Sequence, residues 1–511
     1  MNIFIRVDAS NEIGSGHLMR CLTLANALKS TDKKITFLSR SLPDSMKSFI
    51  EDAGHHFIGL SKLKRNLFSE DIYLSWLGVT KMEDAADSLN AIGALSCDWL
   101  IVDHYALDAE WELLMRTKAK RIFSIDDLAN RPHECDILLD QNLYLNSEER
   151  YQNLVPSNAK LLLGTKFTLL RPEFMEERET SRVRDFKVRN ILVFLGGADD
   201  HNITLKVLQT IENCINTDIL VNIVLGAMHT SQDELIKRFN TPNYRLYLRA
   251  KNMAMLMAQA DLAIGGGGTA TWERCSVGLP TIPIILANNQ KQLIHDGLAC
   301  GIFVPGTGNI EEMFGPRNGL KESILYALAN PDHLADISKR CMDLVDAKGI
   351  ERVISEIKNF SSEVTIRRAT LDDADELFSW RNHETIRAAS HTSHLINYEE
   401  HIAWMTRTLK DSKYILLIGE FAGSDIGVVR FDLEADFNSE ISIYLNPLKD
   451  LSGTGHKLLK SAEEYLYKHY PTINMIKAVF LSENVRSEQF FMQNGYIKVN
   501  NSTLVKRLNN E

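Results

Sequence analysis

Short apolar runs alternate with amphipathic stretches through the first two thirds of the chain. Residues 3–7 read as a strand, and directly after them Leu18, Cys21, Leu22, Ala25 and Leu28 recur at helical spacing. Residues 35–38, 99–102, 121–125 and 137–139 continue as short apolar strands separated by helical patterns. That alternation predicts a parallel sheet covered on both faces. A second series begins at residues 190–195 and runs through 219–225, 244–248, 262–264 and 281–286. Two doubly wound sheets in tandem place a ligand in the crevice between them, at the carboxyl ends of their strands. At Val364 the pattern changes. A strand over 364–367 leads to an acidic helix start at Asp372-Asp373, and residues 414–421, 426–433 and 440–445 read as three consecutive antiparallel strands. The expected organisation is an α/β pair of lobes over residues 1–155 and 156–346, a connector over 347–362, and an α+β domain over 363–511.

Length and charge narrow the class. A chain of 511 residues is too long for one core. A formal net charge of -10 argues against a protein built to grip nucleic acid or an anionic membrane. No span of about 20 apolar residues and no signal-peptide pattern is evident, so a cytoplasmic protein is expected. The seven cysteines are scattered, with no metal-ligand spacing, and none lies beyond Cys341. They read as buried thiols, and their absence from the tail marks it as a separate domain.

Residues 6–20, RVDASNEIGSGHLMR, combine a strand end, a glycine-bearing loop and a helix start. Gly14 and Gly16 let backbone approach a ligand closely, and His17 stands at the helix N-terminus, where a neutral imidazole is favoured as a base. The plainer reading is a tight turn capped by a histidine. In residues 263–273, AIGGGGTATWE, four glycines between a strand and a helix suit a pyrophosphate, and Glu273 is placed to accept ribose hydroxyls. Here the plainer reading is strand–helix packing with a solvated glutamate. Gly196-Gly197-Ala198-Asp199 with Asn202, Asp103-His104-Tyr105, and Asn289-Gln290 also follow strands, on the face where a cleft ligand would sit.

Together these segments resemble the UDP-2,4-diacetamido-2,4,6-trideoxy-β-L-altropyranose hydrolases of pseudaminic acid biosynthesis, over roughly residues 1–345. That resemblance implies a two-lobed glycosyltransferase-B fold that uses water as acceptor. It implies that His17 is the catalytic histidine, with Gly14 and Gly16 counted among the UDP-sugar-binding residues. Gly266, Gly267, Thr269 and Glu273 would hold the UDP part, with Asn202, Asn289 and Gln290 near the diphosphate or sugar. It needs no metal.

In the tail, residues 446–459, NPLKDLSGTGHKLL, place a Gly-x-Gly turn between a strand and a helix, where amides face a pyrophosphate. Residues 482–496 add a strand end, a short helix and a Gly-aromatic turn. The pair resembles the GCN5-related N-acetyltransferases, and Ile366-Arg367 with Trp380-Arg381-Asn382 resemble the branch that acetylates amino sugars and protein N-termini. The resemblance implies acetyl-CoA as co-substrate, with no resident cofactor. It would be held by Ser452, Gly453, Thr454, Gly455, His456 and Asn484. Two positions depart from the pattern: Asp450 stands where Arg or Gln is common, and Phe491 where many members carry a tyrosine acid. Tyr496 reads as core. Trp380 and Arg381 form either a uracil-stacking platform or ordinary helix packing, and Glu440 and Glu483 are the carboxylates closest to strand ends.

The two resemblances imply consecutive steps: 4-N-acetylation of UDP-4-amino-4,6-dideoxy-N-acetyl-β-L-altrosamine, then hydrolysis of the diacetamido product to UDP and free sugar, with inversion. The partners are small molecules, a UDP-sugar and acetyl-CoA. A UDP-sugar glycosyltransferase fused to an acetyltransferase, and a non-catalytic nucleotide-sugar sensor, are the alternatives.

Overall fold

The computed structural model describes all residues except 31–32, 62–71, 158, 181–183, 198, 200–201, 216–217, 227–228, 230–231, 240, 363, 391–392, 422–423, 435–437, 450, 452–453, 482 and 509–511. The chain divides into two compact units, Met1–Glu356 and Ile357–Glu511.

The first unit carries two parallel sheets. One has the order β3-β2-β1-β4-β5-β6-β7, where β1 is Asn2–Val7, β2 Lys34–Ser39, β3 His56–Gly59, β4 Trp99–Asp103, β5 Ile122–Ile125, β6 Ile137–Asp140 and β7 Lys160–Leu163. Its central strands β1, β4, β5 and β6 are buried almost from end to end, so they are written as continuous apolar runs rather than alternating ones. Because β7 belongs to this sheet, the first lobe extends past the boundary expected at residue 155. The second sheet has the order β10-β9-β8-β11-β12, with β8 Asn190–Phe194, β9 Leu220–Leu225, β10 Tyr244–Leu248, β11 Leu262–Gly266 and β12 Thr281–Ile284. Each sheet has its own apolar core.

Residues 347–362, expected as a connector, are mostly the helix Gly349–Ser362. Its first turns return to the first lobe. A Cβ on Gly349 would stand 2.4 Å from the Thr168 backbone, Arg352 donates to the Lys166 carbonyl at 2.9 Å, and Glu356 pairs with Lys160.

The second unit is built on a mixed sheet of order β13-β14-β15-β16-β17-β19-β18. Its strands are β13 Val364–Arg368, β14 Tyr414–Phe421, β15 Ser424–Leu433, β16 Asn438–Leu445, β17 Met475–Val479, β18 Ile497–Asn500 and β19 Thr503–Arg507. The helix Gly455–His469 buries Leu458, Leu459, Ala462 and Leu466 in one apolar cluster. A second cluster takes Leu377 and Trp380 from the helix Ala374–Asn382 and Met405 from the helix Tyr398–Lys410. The overall architecture is therefore the expected one: two parallel α/β sheets followed by a mixed-sheet domain.

Candidate functional site

In the first unit the residues singled out from sequence converge at the carboxyl ends of the strands. The loop after β1 closes on itself through Gly14 N–H donating to the Ser10 carbonyl at 2.8 Å, with Gly14 at φ +79°. That left-handed turn feeds the helix Gly16–Leu28 and sets His17 in its first turn. The His17 Nδ1 meets Asp103 Oδ1 at 2.5 Å, and its ring lies edge-on to Tyr105 with centroids 4.6 Å apart. Asp103 ends β4. Burial alone would raise its carboxyl, but the Arg20 charge and the hydrogen bonds from Arg20 and His17 outweigh it and hold Asp103 well below the usual carboxylate range. An ionised Asp103 accepts the proton of Nδ1, so the lone pair of the imidazole is at Nε2, for which no partner exists among the described residues. This is the carboxylate–histidine arrangement that orients a general base.

Arg20, one helical turn after His17, ties the site together. It donates to Asp103 at 2.7 Å from Nε and to Asp127 at 3.1 Å from Nη1. Asp127 follows β5 and also accepts from Asn142 Nδ2 at 3.2 Å. Asn142 in turn accepts from Trp272 Nε1 at 2.9 Å, which joins the first lobe to the second. Asn289 Nδ2 donates to the Tyr105 hydroxyl at 3.2 Å, a second joint. A Cβ on Gly16 would stand 3.4 Å from Thr269 Oγ1, so the histidine loop and the glycine-rich loop face each other at close range.

Behind the site, Arg6 and Asp8 of the first motif form a buried ion network with Asp84 and Arg40, at 2.8 to 3.0 Å. Asp8 also accepts the backbone N–H groups of Arg40 and Ser41. These two residues frame the loop rather than line the cleft.

The glycine-rich loop has two aspects. A Cβ on Gly265 would stand 2.5 Å from Arg274 Nη1, one on Gly266 2.8 Å from Leu286 Cδ1, and one on Gly267 2.6 Å from Ile294 Cδ1. Three of the four glycines thus stand directly against the protein's own side chains, as the plainer of the two sequence readings has it. Gly268 meets only the Gln290 amide at 3.8 Å and borders open space. Gln290 is a staple: its Oε1 accepts from Gly267 N–H at 3.2 Å and Leu286 N–H at 3.0 Å. Glu273 is not freely solvated, because Arg171 holds it at 3.1 Å. Asn202 adopts φ +49° at the cap of the helix Ile203–Glu212, while Asp199 accepts from Ile203 and Thr204 N–H at that helix start and is itself buried. Ala198 lies outside the described residues.

In the second unit, β16 pairs with β17 only over Asn438–Ile441 against Met475–Ala478. Ser442 to Leu445 have no register with β17, so the sheet opens there, and the helix Gly455–His469 starts ten residues further on. Of the residues expected to hold acetyl-CoA, Ser452 and Gly453 lie outside the described residues, as does Asp450. Gly455 opens the helix, with the Phe490 ring 3.2 Å from where its Cβ would be. Thr454 Oγ1 donates to the Leu451 carbonyl, and His456 Nδ1 meets the Asn494 amide. Asn484 spends its side-chain oxygen capping the next helix, on Ser487 N–H at 3.1 Å.

Trp380 and Glu440 stand differently from expectation. Trp380 is 1% exposed and packed in the apolar cluster, so its ring faces are covered and cannot stack on uracil. Asn382 beside it fastens the loop at Ile396 through two hydrogen bonds. Glu440 lies on the paired half of β16 and faces Lys477 at 3.4 Å, away from the opening. Tyr496 is core, as expected, with its hydroxyl donating to Glu463 at 2.8 Å. Tyr444, passed over in sequence, pairs with Val428 of β15 on the half of β16 that β17 leaves open, and burial pushes its phenol up to about 12 against the Arg381 and Arg430 charges. Asp103, Arg20, Asp127 and Asn142 were likewise not singled out as a constellation; only the three-residue spacing of His17 and Arg20 on one helix hinted at it.

Among the described residues no helix is long and apolar enough to cross a membrane. Comparison with known proteins gives two domain matches. Residues 191–304 match the glycosyltransferase family 28 C-terminal domain, and residues 363–497 match the acetyltransferase (GNAT) domain. An uncharacterized protein of Methanocaldococcus jannaschii is 26% identical over 98% of this chain and 97% of its own. The UDP-2,4-diacetamido-2,4,6-trideoxy-beta-L-altropyranose hydrolase of Campylobacter jejuni is 26% identical over 52% of this chain and 84% of its own. A spore coat polysaccharide biosynthesis protein of Bacillus subtilis is 26% identical over 69% and 96% respectively. The chain thus joins a region that matches the glycosyltransferase family 28 C-terminal domain to one that matches the acetyltransferase (GNAT) domain.

Proposed function

We propose that the chain is a bifunctional enzyme that 4-N-acetylates UDP-4-amino-4,6-dideoxy-N-acetyl-β-L-altrosamine with acetyl-CoA and hydrolyses the resulting UDP-2,4-diacetamido-2,4,6-trideoxy-β-L-altropyranose. The observation that carries the hydrolase reading is the Asp103–His17 pair, whose Nε2 has no partner among the described residues, beside the glycine-rich loop. A metal-free base of this kind suits water attack on a substrate with a good leaving group. Nε2 of His17 takes a proton from water as its oxygen bonds to the anomeric carbon. The bond from that carbon to the UDP oxygen breaks, and UDP departs toward the Gly268–Thr269 backbone. Attack opposite the leaving group inverts the centre. Glu273, held by Arg171, reads the ribose.

The acetyltransferase reading rests on the domain match and on the opening of the sheet beyond Ile441, beside the Gly455 helix. The neutral 4-amine attacks the thioester carbonyl, a carbon–nitrogen bond forms as the carbon–sulfur bond breaks, the nitrogen gives its extra proton to water, and the CoA thiolate takes up a proton. Phe491 supplies no acid, and the neutral Tyr444 phenol on the open half of β16 takes that part.

Mass spectrometry of products from the 4-amino precursor tests the whole. With acetyl-CoA the expected products are UDP, CoA and the free diacetamido sugar; without it, the precursor is expected to persist. Sugar transfer to an added acceptor in place of water would favour a glycosyltransferase, and binding without UDP release a sensor.

A further inference from the structure

Arg274 follows Glu273 in the glycine-rich segment and has no part in the reaction described above. Its side chain is 1% exposed and lies directly under the loop. Nη2 donates to the Gly266 carbonyl at 2.7 Å and to Thr271 Oγ1 at 3.2 Å. Nη1 would collide at 2.5 Å with any Cβ on Gly265, so the glycine at that position makes room for the guanidinium. Nε and Nη1 are buried and have no hydrogen-bond partner. The adjacent carboxylate, Glu273, is turned to Arg171. Among the described residues no acid forms an ion pair with Arg274, and burial lowers its guanidinium to about 10.

A buried cation without a counter-ion is costly, by several kcal/mol in the usual case. Two other buried arginines at the carboxyl ends of the first sheet differ: Arg6 lies between Asp8 and Asp84, and Arg20 between Asp103 and Asp127. Arg274 alone of these three keeps its charge uncompensated, under a loop whose far side, at Gly268, is open. A missing negative charge on that open side accounts for the arrangement.

We infer that Arg274 is the buried counter-charge of a diphosphate held on the Gly265–Thr269 loop, and that it sets a preference for nucleoside diphosphates over uncharged nucleosides. This rests on the UDP-sugar reading for the nucleoside, but not for the anion. Arg274 acts through the loop and is a positioning residue. Because the loop excludes water between charge and phosphate, the attraction is stronger than at a surface and weakly screened by salt.

Calorimetry on the full chain with UDP, uridine and inorganic pyrophosphate tests it. In Arg274→Gln, UDP and pyrophosphate affinity are expected to fall about ten- to a hundredfold, the range for one charge pair across a few ångströms of protein, while uridine affinity stays level. Arg274→Lys is expected to keep the UDP preference at the acid end of the range and to lose it at lower pH than wild type does, as the buried ammonium deprotonates before the guanidinium. That second variant decides the matter if Arg274→Gln does not fold. Equal losses for UDP and uridine, or unchanged UDP affinity in Arg274→Gln, overturn the inference, as does a lysine variant whose preference ignores pH. If wild type binds pyrophosphate through Arg274 but not UDP, the anion site stands and the UDP reading fails. If wild type binds neither, both fail.

Discussion

At the scale of single residues, the cleft is organised by carboxylates whose protonation differs with their neighbours. Asp103 is held ionised by Arg20 and His17 and fixes the His17 tautomer. Replacing His17 by Ala is expected to slow sugar release by about a hundred- to ten-thousandfold, the usual contribution of a general base, with UDP binding within about tenfold of wild type. Asp103→Asn is expected to lose turnover over the same range, because an amide can donate to Nδ1 and leave the proton on Nε2. Near-normal single-turnover rates in either variant would remove the pair from the reaction. Asp140 is the opposite case: burial, then the Asp127 charge, push its carboxyl up to about 8. Its folded-state affinity for a proton exceeds that of the unfolded chain, so its contribution to stability is full below about pH 4 and is lost as pH rises toward 8. Asp140→Asn, always neutral, is expected to gain stability over wild type across that window by up to about 1.4 kcal/mol per pH unit. Urea melts at pH 5 and pH 8 measure it, and a gap that does not widen with pH refutes the assignment.

At the scale of elements, strands were far more legible than side-chain partners. Apolar runs such as 99–102 and 137–139 are buried on both faces, and hydrophobic patterning alone reports that. The helix start at Gly16 and the histidine on it were legible for the same reason, through turn chemistry. Asp103, Asp127 and Asn142 were not brought together, because they reach one another across strand ends 15 to 24 residues apart, a distance no local pattern encodes. Trp380 was ambiguous because a tryptophan at helical spacing has the same signature in a core as on a platform. The glycine-rich loop carries both readings at once, which yields a prediction. Gly267→Ala brings a methyl into Ile294 and Gln290 and is expected to cost about 1–3 kcal/mol, the range for overpacking. Combined with Ile294→Ala, the loss is expected to be smaller than the sum of the single losses. Strict additivity in chemical denaturation would mean that the glycine serves something other than this contact. On β16, Tyr444→Phe is expected to lower acetyl transfer about tenfold or more, the scale of a lost general acid, with little change in the acetyl-CoA requirement. Unaltered turnover would leave the proton to solvent.

At the scale of the whole molecule, the chain is two units, and the boundary between them falls inside the helix Gly349–Ser362 rather than in a loose linker. The motifs of each proposed reaction lie entirely on one side of that boundary, and each unit has its own apolar cores. Domains with separate cores usually fold alone, so the two activities are expected to be separable, provided the cut respects the helix. Its first turns hold the first lobe through Gly349 against Thr168, Arg352 on the Lys166 carbonyl and Glu356 with Lys160, while the residues proposed to bind at the cleft are all earlier in the chain. A piece ending at residue 362 is therefore expected to hydrolyse the diacetamido substrate without acetyl-CoA, at a rate near that of the full chain. A piece ending at 348 loses those three contacts and the apolar burial of Val353, and is expected to melt several degrees lower while retaining the same chemistry when folded. The complementary piece from residue 363 keeps the whole mixed sheet and is expected to acetylate the 4-amino precursor without releasing UDP. Thermal melts and product analysis on the three pieces check this together. Equal melting temperatures for the pieces ending at 348 and 362 would show that the helix does not brace the first lobe. A folded C-terminal piece that binds no acetyl-CoA would sink the acetyltransferase half, and with it the coupling of acetylation to hydrolysis in one chain.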